Sequence, residues 1–198
     1  YGLLKVIHPS ILLNRRLISL FNSAKKVLSW YDLLFLEASY MKWAVYFLMF
    51  IKRCDREICA DVCKKLELPP RHRSIFCKER FDADRTLYWL RQNLPMKNSI
   101  LYRELFGYRT EVLLYMMAAA RSKKVKKSIS QYVTQLRQVK TSVKGKDLKR
   151  MGLEPGPIYR DVLDAVLDAK LNDLLRTRDD EMVFVRTYIS QVQSKRRP

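Results

Sequence analysis

A chain of 198 residues with 48% hydrophobic content can bury a real core, which excludes global disorder, and its size fits one elongated domain or two small packed ones. Thirty-nine Lys and Arg against twenty Asp and Glu leave a formal charge of +19, a self-repulsion that points to a polyanionic partner; nucleic acid and an anionic membrane surface both qualify on charge alone. No segment joins a basic start, an apolar stretch and a small-residue cleavage site, so a cytoplasmic protein is expected, and the longest uncharged apolar run, Trp43 to Ile51, is far too short for a bilayer core of ~30 Å.

The chain opens without Met on Tyr1-Gly2-Leu3-Leu4, in mid-pattern, as expected of a piece of something longer. Apolar residues then recur at spacings of three and four with no sustained alternation, which predicts an all-α fold of about ten helices joined by short loops and no sheet. The spacing places helices over Asn14 to Trp30, Ala38 to Lys52, Arg56 to Leu66, Arg71 to Leu90, Ser99 to Phe106 and Arg109 to Arg121. Further helices are expected over Lys123 to Gln138, Lys146 to Met151, Ile158 to Asn172 and Asp179 to Gln193. Pro69-Pro70 and Pro95 stop helices, and Gly107 supplies a left-handed cap. Thr177 ahead of Asp180 offers the last helix a capping oxygen and a third-position carboxylate. On the preceding helix Ile158, Val162, Val166 and Ala169 form an apolar stripe, with Asp161, Asp164 and Asp168 on a wet face.

Little in the sequence suits catalysis, and no catalytic or metal residue is assigned. Cys54, Cys59, Cys63 and Cys77 lack the repeated pairing of a zinc site and read as small buried side chains. Asp82 and Asp84 point to nearly opposite sides of a helix, so they cannot chelate one ion. There is no P-loop, no Gly-x-Ser-x-Gly, and neither His8 nor His72 has an adjacent Asp.

Charge is distributed unevenly. Between Arg121 and Arg150 eleven basic residues face the single acid Asp147, whereas from Asp161 to Glu181 seven acids outnumber Lys170, Arg176 and Arg178. The shift marks a boundary, giving a helical body over residues 1–121 and a basic, RNA-binding helical tail over 122–198. Lys123, Lys124, Lys126 and Lys127 crowd one helix start, and Lys140, Lys144, Lys146, Lys149 and Arg150 extend the patch with only Asp147 among them to pair. A phosphate backbone would relieve that repulsion; a solvated, solubilising helix is the bland reading.

Gly145, Gly152 and Gly156 lie close together in a segment that reads as short helix, tight turn and second helix start. Gly152 can take the positive φ that ends a helix, and Pro157 fits a first helical position, leaving the amides of Ile158 and Tyr159 pointing outward beside Lys146, Lys149, Arg150 and Arg160. Such a corner can hold a phosphate, in the manner of helix-hairpin-helix elements, or can be an ordinary turn with Pro and Gly present for geometry.

The run Lys144-Gly145-Lys146-Asp147-Leu148 through Gly152-Leu153-Glu154-Pro155-Gly156-Pro157-Ile158-Tyr159, with Asp164 to Ala169 and Thr177-Arg178-Asp179-Asp180-Glu181, resembles the tail of bacterial tRNA nucleotidyltransferases, the CCA-adding and A-adding enzymes of the poly(A) polymerase superfamily. Leu3 to Pro9 is similar to the junction where the neck of such enzymes enters the body. The resemblance implies a head, neck, body and tail, of which this chain holds body and tail, gripping the acceptor stem and T arm of tRNA. It implies a backbone-contact role for Lys146, Gly152, Gly156, Tyr159 and Arg160. Neither Gly-Ser-x-x-Asp-x-Asp nor Glu-Asp-x-x-Arg occurs, so the piece is expected to be inactive alone, with Mg2+ and nucleoside triphosphates used by the missing head. The expected partners are tRNA and the head and neck of its own chain, not a membrane. The alternative is a helical protein-interaction scaffold whose basic surface binds an acidic partner.

Overall fold

The computed structural model describes residues 6–9, 11, 13–36 and 39–196, with side chains as far as 191. Leu3, Leu4 and Lys5 of the expected neck junction, and Glu37 and Ala38, lie outside the described residues. Among the described residues the chain is helical and has no strand. In order, the helices are α1 (Arg15–Asp32), α2 (Lys42–Phe50), α3 (Arg56–Lys65), α4 (Pro70–Ser74, a π turn Ile75–Glu79, then Arg80–Asn93), α5 (Asn98–Leu105), α6 (Thr110–Ala119) and α7 (Lys123–Thr134). A 3-10 turn, Leu136–Gln138, precedes α8 (Gly145–Arg150), α9 (Pro157–Leu171) and α10 (Arg178–Arg196).

The chain divides into two compact units, residues 1–94 with 107–130 and residues 95–106 with 131–198. This is not the division at residue 121 read from the charge shift. Helix α5 packs on α9, where Asn172 accepts from the Ser99 amide at 3.2 Å and donates to the Ser99 hydroxyl at 2.9 Å, and the chain passes from one unit to the other within α7.

In the first unit α6 is apolar on every side and buried from Thr110 to Ala118, the pattern of a helix at the centre of a core. Helices α1, α2 and α4 pack against it. Helix α2 has no capping side chain of its own. The buried Glu111 of α6 accepts from the Met41 amide at 2.9 Å, and the buried Arg80 donates to the carbonyls of Lys52 at 3.0 Å and Cys54 at 2.7 Å. A tertiary partner thus meets the amide that opens α2, and Arg80 holds carbonyls of the turn that follows it, so the helix is shorter at both ends than the expected Ala38 to Lys52. The π turn lies inside what the sequence predicts as one uninterrupted helix; it buries both Ile75 and Phe76 and leads directly into Arg80. Cys54, Cys59 and Cys63 are buried and all four thiols are free. Asp82 pairs with Arg85, and Asp84 with Lys52 and Arg80.

The second unit is built around Leu148, Leu153, Val162, Val166, Ala169, Val185 and Ile189. Helix α9 buries Val162, Val166 and Ala169 and leaves Asp161 and Asp164 exposed, as its stripe predicts, while Asp168 pairs with Arg103 of α5. Helix α10 opens with a reciprocal cap: Thr177 Oγ1 accepts from the Asp180 amide at 3.1 Å, and Asp180 accepts from the amides of Thr177 at 2.8 Å and Arg176 at 3.0 Å. Those amide donors hold the Asp180 carboxyl below its usual range.

Candidate nucleic-acid interface

The corner between α8 and α9 follows from local chemistry. Helix α8 ends in a Schellman turn: the Gly152 amide donates to Lys149 at 3.0 Å and the Leu153 amide to Leu148 at 3.2 Å, with Gly152 at φ +82°. Leu153 and Leu148 meet in the core, completing that turn's apolar contact. Gly156 is extended, at φ 178°, and Pro157 occupies the first position of α9, where its missing N–H costs nothing. Replacing Gly152 by Ala is expected to cost about 1 kcal/mol, the strain of a Cβ in the left-handed region. Gly156→Ala is expected to change stability by less than about 0.5 kcal/mol, since its Cβ would meet only the Glu154 carbonyl, at 4.0 Å. Urea unfolding of the two variants tests the difference.

Tyr159 bolts the corner together. Its hydroxyl donates to the Leu153 carbonyl at 2.8 Å, and its ring lies 3.5 Å from where a Cβ on Gly145 would stand. The side chain is thus occupied holding the turn rather than free to stack on a base. Its amide, expected to be unpaired, donates to the Gly156 carbonyl at 3.0 Å. The amides of Glu154, Gly156 and Ile158 have no acceptor among the described residues, and with the positive end of the α9 dipole they form an anion-seeking surface.

The segments on either side of the corner are rich in exposed cations, with the exposed acids Glu154 and Asp161 among them. Lys140, Lys144, Lys146, Lys149, Arg150 and Arg160 are exposed. Arg150 approaches Asp147 only to 4.0 Å and Arg160 approaches Asp164 to 3.9 Å, and the four lysines make no ion pair among the described residues. The single acid between Arg121 and Arg150, Asp147, is buried and already engaged: it accepts from the Lys144 amide at 2.9 Å and from Arg178 at 3.1 Å. Chiefly through the Lys144 amide, and then through Arg178, Lys146 and Arg150, its carboxyl is held below the usual carboxylate range.

Glu181, which the sequence places in an acidic run and assigns no role, positions this lysine-bearing loop. It is fully buried and accepts from the amides of Ser142 at 2.7 Å and Val143 at 2.9 Å and from the Lys170 ammonium. Burial pushes its carboxyl up, but Lys170 and the two amides outweigh that and hold it below its ordinary value.

The other lysines of the expected site belong to the first unit. Lys123, Lys124 and Lys127 are exposed on α7, without ion pairs among the described residues. Tyr132 is buried with its ring centroid 5.8 Å from that of Tyr102. Lys126 is half-buried and lines a cleft with Arg15, Arg16, Lys52, Arg53 and Arg121. None of those five is among the site residues expected from the sequence, although Arg121 opens its basic stretch. The available signal was two arginines opening a helix, where positive charge is unfavourable.

Comparison with known proteins defines the class first. The fold occurs within tRNA-processing enzymes: it matches the Thermotoga maritima CCA-adding enzyme complexed with tRNA at a TM-score of 0.70 and 18% identity, over 95% of this chain and 45% of that one. It also matches a tRNA-processing enzyme in an apo form at 0.64 and 23% identity, over 86% and 41% of the two chains. No family model matches the chain. By sequence it is 37% identical over 185 residues, 91% of its length, to an A-adding tRNA nucleotidyltransferase of Geobacter sulfurreducens, and spans 21% of that protein. The chain is thus similar in sequence to a segment of one such protein and in fold to segments of the others, and it spans less than half the length of each.

Proposed function

We propose that this chain is the tRNA-gripping region of a tRNA nucleotidyltransferase, anchoring the acceptor stem and T arm while a catalytic head elsewhere in the longer protein extends the 3′ end. The observation that carries the reading is the α8–α9 corner, where unpaired amides at a helix N-terminus lie in a segment with exposed Lys146, Lys149, Arg150 and Arg160, and where Asp147 is already engaged by Arg178, although Glu154 and Asp161 are exposed in the same segment. Exposed cations of this kind contact phosphates, and helix-end amides hold them without reading sequence. Selectivity for folded RNA would come from shape and 2′-hydroxyls, since side chains cannot read the deep groove of an A-form helix. A relative of the same fold was solved with tRNA, which supports tRNA as the partner.

The chemistry belongs to the head, which would use nucleoside triphosphates and Mg2+. Relatives of this fold have been solved with ATP and with CTP. Work on tRNA would place the protein in the cytoplasm; no helix among the described residues is long and apolar enough to cross a membrane.

The test is a salt titration of binding to tRNA, to the same tRNA with a scrambled T arm, and to an unstructured RNA of equal length. The expected result is preference for intact tRNA with affinity falling steeply as salt rises. Equal binding to all three, or no binding at moderate salt, would leave the protein-scaffold reading in its place.

A further inference from the structure

The first unit carries a cationic trough of its own. Arg15 and Arg16 from the start of α1, Lys52 and Arg53 after α2, Arg121 after α6 and Lys126 of α7 line a hollow of about 530 Å³ floored by Ala118 to Ala120, and no acid is among its lining residues. Lys52 is tied to Asp84 at 3.2 Å. The other five cations make no ion pair among the described residues.

Folding accounts for part of this arrangement. Arg53 and Arg121 follow the C-terminal ends of α2 and α6, where the helix dipole favours positive charge. The opposite holds for Arg15 and Arg16 in the first turn of α1 and for the lysines that open α7; neither helix has an acid in its first turn. Cations in that position work against the dipole, and a bound anion reverses the sign of the interaction.

The trough does not end at the arginines. Lys52, Ala119, Ala120 and Arg121 also border a second hollow of about 630 Å³, walled by Tyr88 and Arg91 of α4. Tyr88 is 68% exposed, an aromatic ring that the core does not use. The one acid there, Asp84, is neutralised by Lys52 at 3.2 Å and Arg80 at 3.3 Å and accepts from the Tyr115 hydroxyl at 2.7 Å.

Unpaired cations leading to an open aromatic face match the chemistry of single-stranded nucleic acid, whose phosphates follow the charges while a base stacks on the ring. A floor of alanines leaves room for the strand to lie close to the backbone of α6 and its end. We propose that this trough binds single-stranded RNA, with phosphates along Arg15, Arg16, Arg53, Arg121 and Lys126 and a base on Tyr88. The site belongs to the first unit and does not rest on the tRNA-anchor role of the α8–α9 corner.

The test uses the full chain and a labelled short oligouridine, with affinity followed against salt. Tyr88→Ala is expected to weaken binding about tenfold and Tyr88→Phe to leave it within about twofold, because stacking needs the ring and not the hydroxyl. Removing Arg16 and Arg121 together is expected to lower the slope of log affinity against log salt by about 1.4, roughly 0.7 for each phosphate contact on a single strand. Arg15→Glu is expected to weaken binding while Tm holds or rises, since an acid suits the α1 start. The variant Lys146→Ala with Lys149→Ala should bind oligouridine as the parent chain does and lose affinity only for tRNA, which separates this site from the corner. Unchanged oligouridine binding in the Tyr88 and arginine variants overturns the proposal. So does a duplex RNA that competes equally well, or a fall in Tm for Arg15→Glu, which would assign that residue to folding.

Discussion

Replacing Glu181 by Ala is expected to destabilise the second unit by about 3 kcal/mol, the toll of breaking one side of a buried ion pair. The side chain is 0% exposed and its partner Lys170 only 20%. Removing the carboxylate leaves the Lys170 charge largely desolvated and strips the amides of Ser142 and Val143 of their acceptor. The orphaned Val143 amide is buried and carries a penalty of roughly 1–3 kcal/mol; Ser142 is exposed and Lys170 retains some access to water, and the figure given is accordingly the lower end for a buried pair. Those amides begin the loop that carries Lys144 and Lys146, so the same variant should weaken tRNA binding without touching a phosphate contact. Urea unfolding of the variant measures the first effect, and a stability within about 1 kcal/mol of the parent chain would refute the clip.

The same carboxylate gives the unit an acid limb. Glu181 is held below its ordinary value of 4.5, and Asp147 and Asp180 below 3.8. Below those ordinary values the unfolded chain binds more protons than the folded one, so the stabilisation is fully present above about pH 4.5 and is lost as pH falls through the lowered folded values. Glu181→Gln cannot titrate, so its stability profile should be flatter on the acid side.

How much of this was legible follows the range of the interactions. The stop at Pro95 and the positive φ of Gly107, +94°, could be read directly, and so could the Thr177–Asp180 cap, whose partners lie three residues apart; Pro69-Pro70, expected to stop a helix, instead opens α4, and α3 ends earlier in a turn with Glu67 at φ +49°. The Glu181 clip could not. Its amide partners are thirty-eight and thirty-nine residues away, and in the sequence Glu181 is one acid in the first turn of a helix. Helix α5 joins the second unit through Ser99 and Asn172, seventy-three residues apart, which a local charge shift at residue 121 does not encode. The expected interface was likewise local. Sequence neighbours Lys123 to Lys127 drew attention to α7, but charges gathered from the ends of four helices, Arg15 and Arg121 among them, become one trough only when the chain folds.

The combined variant Lys146→Ala, Lys149→Ala, Arg150→Ala is expected to lower tRNA affinity about a hundredfold at physiological salt, because each lost phosphate contact forfeits about 0.9 in the salt slope for duplex RNA if it behaves like B-form DNA. The slope itself should fall by roughly three. The fold should tolerate the change: the two lysines have no ion-pair partner among the described residues, and Arg150 approaches Asp147 only to 4.0 Å, while Asp147 keeps Arg178 at 3.1 Å and the Lys144 amide at 2.9 Å. Neutral alanines rather than acids are used so that a loss reports missing contacts and not new repulsion. An unchanged slope would mean that these exposed cations meet solvent and not phosphate, and the anchor would then have to be sought among the cations of the first unit.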